Sequence, residues 1–354
     1  MKVLFIFYTP SGGMETLNRQ RSKALRQSGI DCYLVYLEHG AGLQNVENHN
    51  TYVMTSDHQI NILLKKVKFD VIIVTSNYKL IPRLRHMGFK KPIIFEAQGL
   101  GSTYSARYAL LEAIPYLTDY ADALLYPKTP HLIQLFREIY PTFQHFSFHN
   151  CIDSKQFTYR SLPIFSNPII GWVGRIEANK NWRDLLSIFH RLLAYRPDLR
   201  LWMFEDTTMG DEKQLFEEAL IQLGLSAYII RHSNIPNKQM CDYYSMIGDS
   251  GGFLLSTSVT EGFGYAMVEA MCCRCPILCS DSDGVRSFLL PYTTGMMYAQ
   301  GDKAEAVQKG IYYLINPAVR ETIRIEAKQY IEDHFSLEAY CVNFVAMLAL
   351  LGIS

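Results

Sequence analysis

Short apolar runs alternate with amphipathic stretches along almost the whole chain. Residues 3–8 are six consecutive apolar side chains. From Gly13 onward, Met14, Leu17, Ala24 and Leu25 recur at helical spacing, with Arg19, Lys23 and Arg26 largely off that stripe. Arg21 falls inside the stripe, so it is expected to reach a partner or an edge. Residues 31–37, 70–76, 92–95, 123–126 and 145–149 read as further strands, with helical stretches between most of them. Residues 161–168 carry two prolines and no strong period, and read as a linker. A second series follows, with strand-like runs at 169–173, 199–204, 228–231, 253–256 and 276–280. Helical stretches lie near 181–195, 212–223, 236–246 and 265–273. Residues 305–314, 318–334 and 337–351 close the chain as helices, Ser336 being placed to cap the last. Such alternation implies parallel sheets covered on both faces. The expected fold class is α/β, with two doubly wound domains in tandem. Ligands of open α/β sheets bind beyond the C-terminal strand ends, so two such domains facing each other would form a two-substrate cleft.

Composition narrows this picture. At ~100–200 residues per domain, 354 residues suit about two domains. A content of 49% hydrophobic and 19% charged residues excludes disordered and collagen-like chains. Mean hydropathy is −0.01, and no apolar run approaches the ~18 residues of a spanning helix. The 34 basic and 34 acidic side chains balance, so nothing global points to nucleic acid. Residues 1–160 hold 18 basic and 12 acidic side chains, the remainder 16 and 22. A basic first half suits an anionic substrate or a peripheral membrane contact, against the plainer reading of ordinary surface variation. The start is too short in apolar residues for a secretory leader, which needs ~7–15. The expectation is a cytoplasmic protein. Cys272, Cys273, Cys275 and Cys279 crowd into one stretch without a second ligand pair, so they read as buried apolar residues rather than a metal site.

Three segments carry candidate chemistry. Thr9-Pro10-Ser11-Gly12-Gly13 lies between the first strand and helix. Paired glycines there allow close backbone approach to an anion at a helix N-terminus. Gly171-Trp172-Val173-Gly174-Arg175, followed by Lys180, puts two cations at a strand end, where a diphosphate would fit. Thr260-Glu261-Gly262-Phe263-Gly264-Tyr265-Ala266-Met267-Val268-Glu269 puts a glycine-bearing loop before a helix, with one carboxylate in each. Carboxylates accept hydrogen bonds from sugar or ribose hydroxyls, and the amides of 263–266 suit a pyrophosphate.

The last segment, followed by Pro276-Ile277 and Asp283-Gly284, resembles the signature of glycosyltransferase family 4, also called glycosyl transferase group 1. The resemblance extends to Ser11-Gly12-Gly13-Met14-Glu15, to Asn150-Cys151-Ile152-Asp153 with Phe157, and to Val173-Gly174-Arg175 with Lys180-Asn181. It implies a GT-B architecture of two Rossmann-like domains facing a central cleft. Residues 1–160 would bind the acceptor, with the helix at 337–354 packing back onto them. Residues 168–336 would bind a nucleotide sugar. It implies a retaining transferase that moves a hexose-type sugar from a UDP-sugar, rather than a GDP-sugar, to a hydroxyl acceptor, with no metal and no cofactor. Glu261, Arg175 and Lys180 would be catalytic. Gly13, Glu269, Phe263, Gly264, Tyr265, Ala266, Asn234 and Ile235 would bind the donor, and Gln98 and Gly12 would lie near the acceptor or the transferred sugar. Sugars, glycolipids, polymers and small natural products all remain open as acceptors.

The chain departs from the family pattern in places. Gln98 stands where the family usually has His; it hydrogen-bonds but cannot take a proton. Phe204-Glu205-Asp206-Thr207 replaces a Gly-rich turn, which bears on the base pocket. Asp281-Ser282-Asp283 matches D-x-D formally, yet a metal is not expected there. His145 and His149 share a strand face without a third ligand and read as structural. The alternatives are a non-catalytic or epimerase-like nucleotide-sugar binder of the same fold. A dehydrogenase lacks its G-x-G-x-x-G.

Overall fold

The computed structural model describes residues 1–47, 49–205 and 211–353. The chain runs β1 (Lys2–Phe7), α1 (Gly12–Gln27), β2 (Asp31–Tyr36), β3 (Thr51–Val53), α2 (Asp57–Lys66), β4 (Val71–Thr75), α3 (Leu80–His86) and β5 (Ile93–Glu96). It continues α4 (Thr103–Tyr120), β6 (Ala123–Tyr126), α5 (Pro130–Ile139), β7 (His145–Ser147), β8 (Ile169–Val173), α6 (Trp182–Tyr195), β9 (Arg200–Glu205) and α7 (Asp211–Gln222). Then come β10 (Ile229–Ser233), α8 (Met240–Asp249), β11 (Phe253–Ser256), α9 (Tyr265–Cys272), β12 (Ile277–Ser280) and β13 (Met296–Tyr298). Three helices end it: α10 (Lys303–Ile315), α11 (Pro317–His334) and α12 (Leu337–Leu350).

Two compact units result. Unit 1 holds Met1–Ile152 and Phe335–Ser354; unit 2 holds Asp153–His334. The irregular stretch 161–168 therefore lies within unit 2. Unit 1 has a seven-stranded sheet in the order β3-β2-β1-β4-β5-β6-β7. Unit 2 has six strands in the order β10-β9-β8-β11-β12-β13. Among the described residues every strand pairing is parallel. Strand order reverses beside β1 in one sheet and beside β8 in the other, and at such switch points the strand ends open a crevice.

Parallel strands are buried on both faces, which explains their unbroken apolar runs. In β1, Leu4 and Ile6 join one core layer of unit 1, while Val3 and Phe5 join the other. That second layer contains Ala24 and Leu25 of α1 and Tyr340, Phe344 and Met347 of α12. The Ser336 hydroxyl accepts from the Ala339 amide and so caps α12. α1 is unusual in burying polar residues, among them Glu15, Asn18, Gln20 and Arg21. The sequence reading includes no strand at β3 or β13. Each is a three-residue edge strand, and β3 is only half-buried.

In unit 2, Gly252 allows β11 to lie against β8. A Cβ at Gly252 would sit 1.8 Å from the Ile169 carbonyl oxygen and 2.6 Å from its carbon. Because both atoms are backbone, no side-chain motion relieves the clash. Gly252→Ala is therefore expected to lower the melting temperature, at a cost of at least about 1–3 kcal/mol. A thermal scan matching the wild type would show that the two strands can separate without loss.

Candidate functional site

The loops after β8 and β11 of unit 2 are tied together residue by residue. Gly174 follows β8, where a Cβ would lie 3.0 Å from the Trp172 ring. The Trp172 indole donates to the Thr257 hydroxyl at 3.3 Å, and that hydroxyl donates to the Lys180 carbonyl at 2.8 Å. The Asn179 carbonyl accepts from the Val259 amide at 2.8 Å, and its side-chain oxygen accepts from the Thr260 hydroxyl at 2.7 Å. Asn181 adopts the left-handed conformation, φ 49°, and its side chain caps α6 at Asp184.

This stitching brings Lys180 and Glu261 together. The Lys180 ammonium donates to Glu261 Oε1, which also accepts from Ser258 Oγ at 2.7 Å. The lysine side chain is 23% exposed and the carboxylate 13%, so both meet solvent at one edge. Arg175 stays in solvent, its guanidinium 3.2 Å from Glu177. The Glu261 backbone carbonyl accepts from the Gly284 amide at 2.9 Å. A Cβ at Gly284 would lie 2.3 Å from the Gly262 oxygen, so only glycine permits this contact.

Gly264, φ 81°, turns the chain into α9. A helix leaves its first amides without intrahelical acceptors, so the start of α9, with Tyr265 and Ala266, is an electropositive end of the loop. The Phe263 and Tyr265 rings pack edge to face at 4.9 Å and are both buried. One turn on, Glu269 is 3% exposed. Its Oε1 accepts from Asn237 Nδ2 at 3.1 Å and its Oε2 from the Tyr244 hydroxyl at 3.2 Å. Burial and the Glu269 carboxylate push the Tyr244 phenol well above its usual range, so it stays a donor.

Asn234 also adopts the left-handed conformation, φ 52°, and its amide donates to the Glu205 carbonyl at 3.0 Å. Ile235 next to it is half-buried. His232 stacks on Phe204 with centroids 4.9 Å apart, and burial pushes its imidazole below its usual pKa. Asp206 and Thr207 lie outside the described residues.

Gly12, Gly13 and Gln98 belong to unit 1. Gly12, φ 54°, starts α1, and Gly13 is exposed beside it. Gln98 follows β5 and is half-buried. Its Nε2 donates to Glu96 Oε1 at 2.8 Å and its Oε1 accepts from Asn150 Nδ2 at 2.7 Å. Arg21 finds its partner here. Its guanidinium donates to both Glu96 oxygens, at 2.7 and 2.9 Å, with both side chains fully buried.

The remaining motif residues have structural partners. Asp281 accepts two bonds from Arg286, at 2.7 and 2.6 Å, which hold its carboxyl below the usual range; the Asp283 side chain lies outside the described set. His145 uses both ring nitrogens, on the Tyr126 hydroxyl at 3.1 Å and the Tyr140 carbonyl at 2.8 Å. All eight cysteines are buried, and burial raises the thiol pKa of Cys272, Cys273, Cys275 and Cys279. Among the described residues no group of three or more His, Cys, Asp or Glu is placed to hold a metal ion, and no helix is long and apolar enough to cross a membrane.

Sequence reasoning gave no role to Asn237, Tyr244, Ser258 and Glu96, and it named Asn150 only as part of a motif, without its contact to Gln98. Only Arg21, a charge inside an apolar stripe, signalled a buried counter-charge.

The description "Glycosyl transferases group 1" matches residues 157–330. Over 187 residues the chain is 24% identical to trehalose synthase of Pyrococcus horikoshii, covering 52% of this chain and 44% of that protein. Over 176 residues it is 25% identical to 2-deoxystreptamine glucosyltransferase of Streptomyces kanamyceticus, covering 50% and 44%. The chain thus spans less than half the length of these curated relatives. Among solved structures, Anabaena HepE in complex with UDP and glucose superposes with a TM-score of 0.83 at 15% identity, over 99% of this chain and 100% of that one. Sucrose-phosphate synthase from Thermosynechococcus elongatus gives 0.82 at 17% identity, over 99% of each. The fold is GT-B, built from two parallel-sheet α/β units. The glycosyl transferases group 1 match thus lies within unit 2, over residues 157–330.

Proposed function

We propose that the chain is a retaining glycosyltransferase that moves a hexose-type sugar from a UDP-sugar to a hydroxyl acceptor without a metal. The observation that carries this reading is the cluster in unit 2. There, Lys180 and Glu261 meet at the strand ends, just before the N-terminus of α9, and Glu269 is buried in its first turns. A departing diphosphate gains negative charge in an oxocarbenium-like transition state, and fixed cations and amides at that place stabilise it. Lys180 and the amides from Phe263 to Ala266 would supply them, joined by Arg175 on turning from Glu177 and solvent toward the diphosphate. The diphosphate would compete with Glu261 for Lys180, releasing the carboxylate toward the hydroxyls of the transferred sugar.

Glu269, oriented by Asn237 and Tyr244, would accept the ribose hydroxyls, and the backbone at Asn234 and Ile235 would read the base. Gly12, Gly13 and Gln98 are the polar candidates of unit 1. Tyr104 and Tyr108 stand 82% and 64% exposed on α4 and offer ring faces for an acceptor sugar. UDP is favoured because HepE, of similar fold, was solved with UDP and glucose. We place the protein in the cytoplasm, where the basic first half would allow peripheral contact with a membrane.

Three outcomes are expected. Glu269→Ala should weaken UDP binding by about 1–3 kcal/mol, the worth of lost charged hydrogen bonds, in calorimetry. Unchanged affinity for UDP and GDP would remove the ribose assignment. The double variant Arg175→Ala, Lys180→Ala should keep its melting temperature and lose about 100-fold or more in kcat. Turnover at the wild-type rate would take these cations out of the mechanism. Addition of EDTA should leave UDP release from UDP-glucose unchanged, whereas activity that returns only with a divalent ion would overturn metal independence.

A further inference from the structure

Behind Gln98, unit 1 contains a polar chain to which the transferase reading gives no role. It begins at Arg21, whose guanidinium lies 3.9 Å from the centre of the Phe5 ring and donates to Asn18 Oδ1 at 2.6 Å. Burial alone would lower the guanidinium pKa; the adjacent Glu96 carboxylate more than reverses this and holds it above its ordinary value. Glu96 in turn accepts from Arg21 twice, from the Thr75 hydroxyl at 2.5 Å and from Gln98 Nε2 at 2.8 Å. A carboxylate offers about four lone-pair positions, so these four contacts satisfy it. Asn150, 3% exposed, donates from Nδ2 to Gln98 Oε1 at 2.7 Å.

These contacts permit one orientation of the Gln98 amide. Flipping it would set its oxygen against the Glu96 carboxylate and its NH2 against the NH2 of Asn150. Both alternatives are repulsive, and neither carboxylate nor guanidinium can move, because both are fully buried. A primary amide nitrogen carries two hydrogens. Glu96 takes one, and the network fixes the direction of the other at the half-exposed end of β5.

We propose that Asn150 and the Arg21-held Glu96 are positioning residues that lock Gln98 as an oriented, neutral hydrogen-bond donor to a hydroxyl of the sugar substrate. This rests on the transferase reading. A donor held in place before the substrate arrives needs no reorganisation during the reaction. The ligand class is a neutral polyol, since the carboxylate behind the amide already has its counter-charge.

Asn150→Asp tests this, because it keeps the shape and replaces the donor facing Gln98 with an acceptor. The assay is UDP release from UDP-glucose by the full chain, beside calorimetry with UDP alone. The expected result is a fall of about 10- to 100-fold in kcat/KM for UDP-glucose, the size of a misplaced contact, with UDP affinity unchanged. If Asn150→Asp does not fold, Asn150→Ala removes the donor without adding charge. Gln98 side-chain NH2 resonances in 15N-glutamine-labelled protein give a readout independent of turnover. In the wild type one of the two hydrogens should be shifted and slow to exchange, and in the variant it should not be. Wild-type kcat/KM in a folded variant, or an unchanged NH2 signal, would overturn the proposal. Absence of UDP binding in the wild type would instead fail the transferase reading, leaving the NH2 signal to decide the lock.

Discussion

A charge taken out of water must find its opposite, and that requirement organises the polar interior of both units. In unit 1 the answer is complete burial. Arg21 on α1 and Glu96 at the end of β5 meet with no exposure; Arg21 also donates to Asn18, and Glu96 also accepts from Thr75 and Gln98. Desolvation offsets most of the attraction in such a pair, so it adds little net stability. Loss of one partner is another matter, at about 3–5 kcal/mol for the stranded charge. The consequence is geometric, because α1, β4 and β5 are pinned to one another at a single point. In unit 2 the answer is shallower. Lys180 and Glu261 keep one edge in solvent. A pair left in partial contact with water is one that an incoming polyanion can open.

Backbone contact sets the positions of these charges. Gly284 lets the 283–287 turn touch the backbone of Glu261 and Gly262, and its amide holds the Glu261 carbonyl. Gly264 supplies the left-handed step that starts α9 within three residues of Glu261. Side chains at either place would push the loop away from the strand ends. The carboxylate is therefore held from behind by glycine backbone and from the side by Ser258 and Lys180.

This division explains what the sequence reveals. Strands buried on both faces must be apolar throughout, so β1, β4, β5, β8 and β11 are legible as runs. β3 and β13 are three-residue edge strands, too short for an alternating or continuous apolar run to mark them. Glu261, Lys180 and Glu269 are legible because loop chemistry sits in short motifs. Tyr244 and Asn237 are not, since their roles arise only once α8 packs beside α9. Arg21 was conspicuous as a misplaced charge, yet its partner lies 75 residues away, beyond any local pattern.

The Glu96 network also explains why a glutamine suits position 98. A titratable ring in its place would sit in hydrogen-bonding reach of a buried carboxylate, which favours the ring's protonated form. Its charge would then change with pH, and with it the number of donors offered to a ligand. The amide gives Glu96 the same hydrogen bond with no proton to lose or gain. Asn150 supplies the second constraint, because an amide held only at its nitrogen could still rotate about its last bond. Two fixed contacts on one planar group leave a single direction for its remaining hydrogen, and that direction is set by Arg21, two residues removed along the chain of contacts and in touch with no solvent at all.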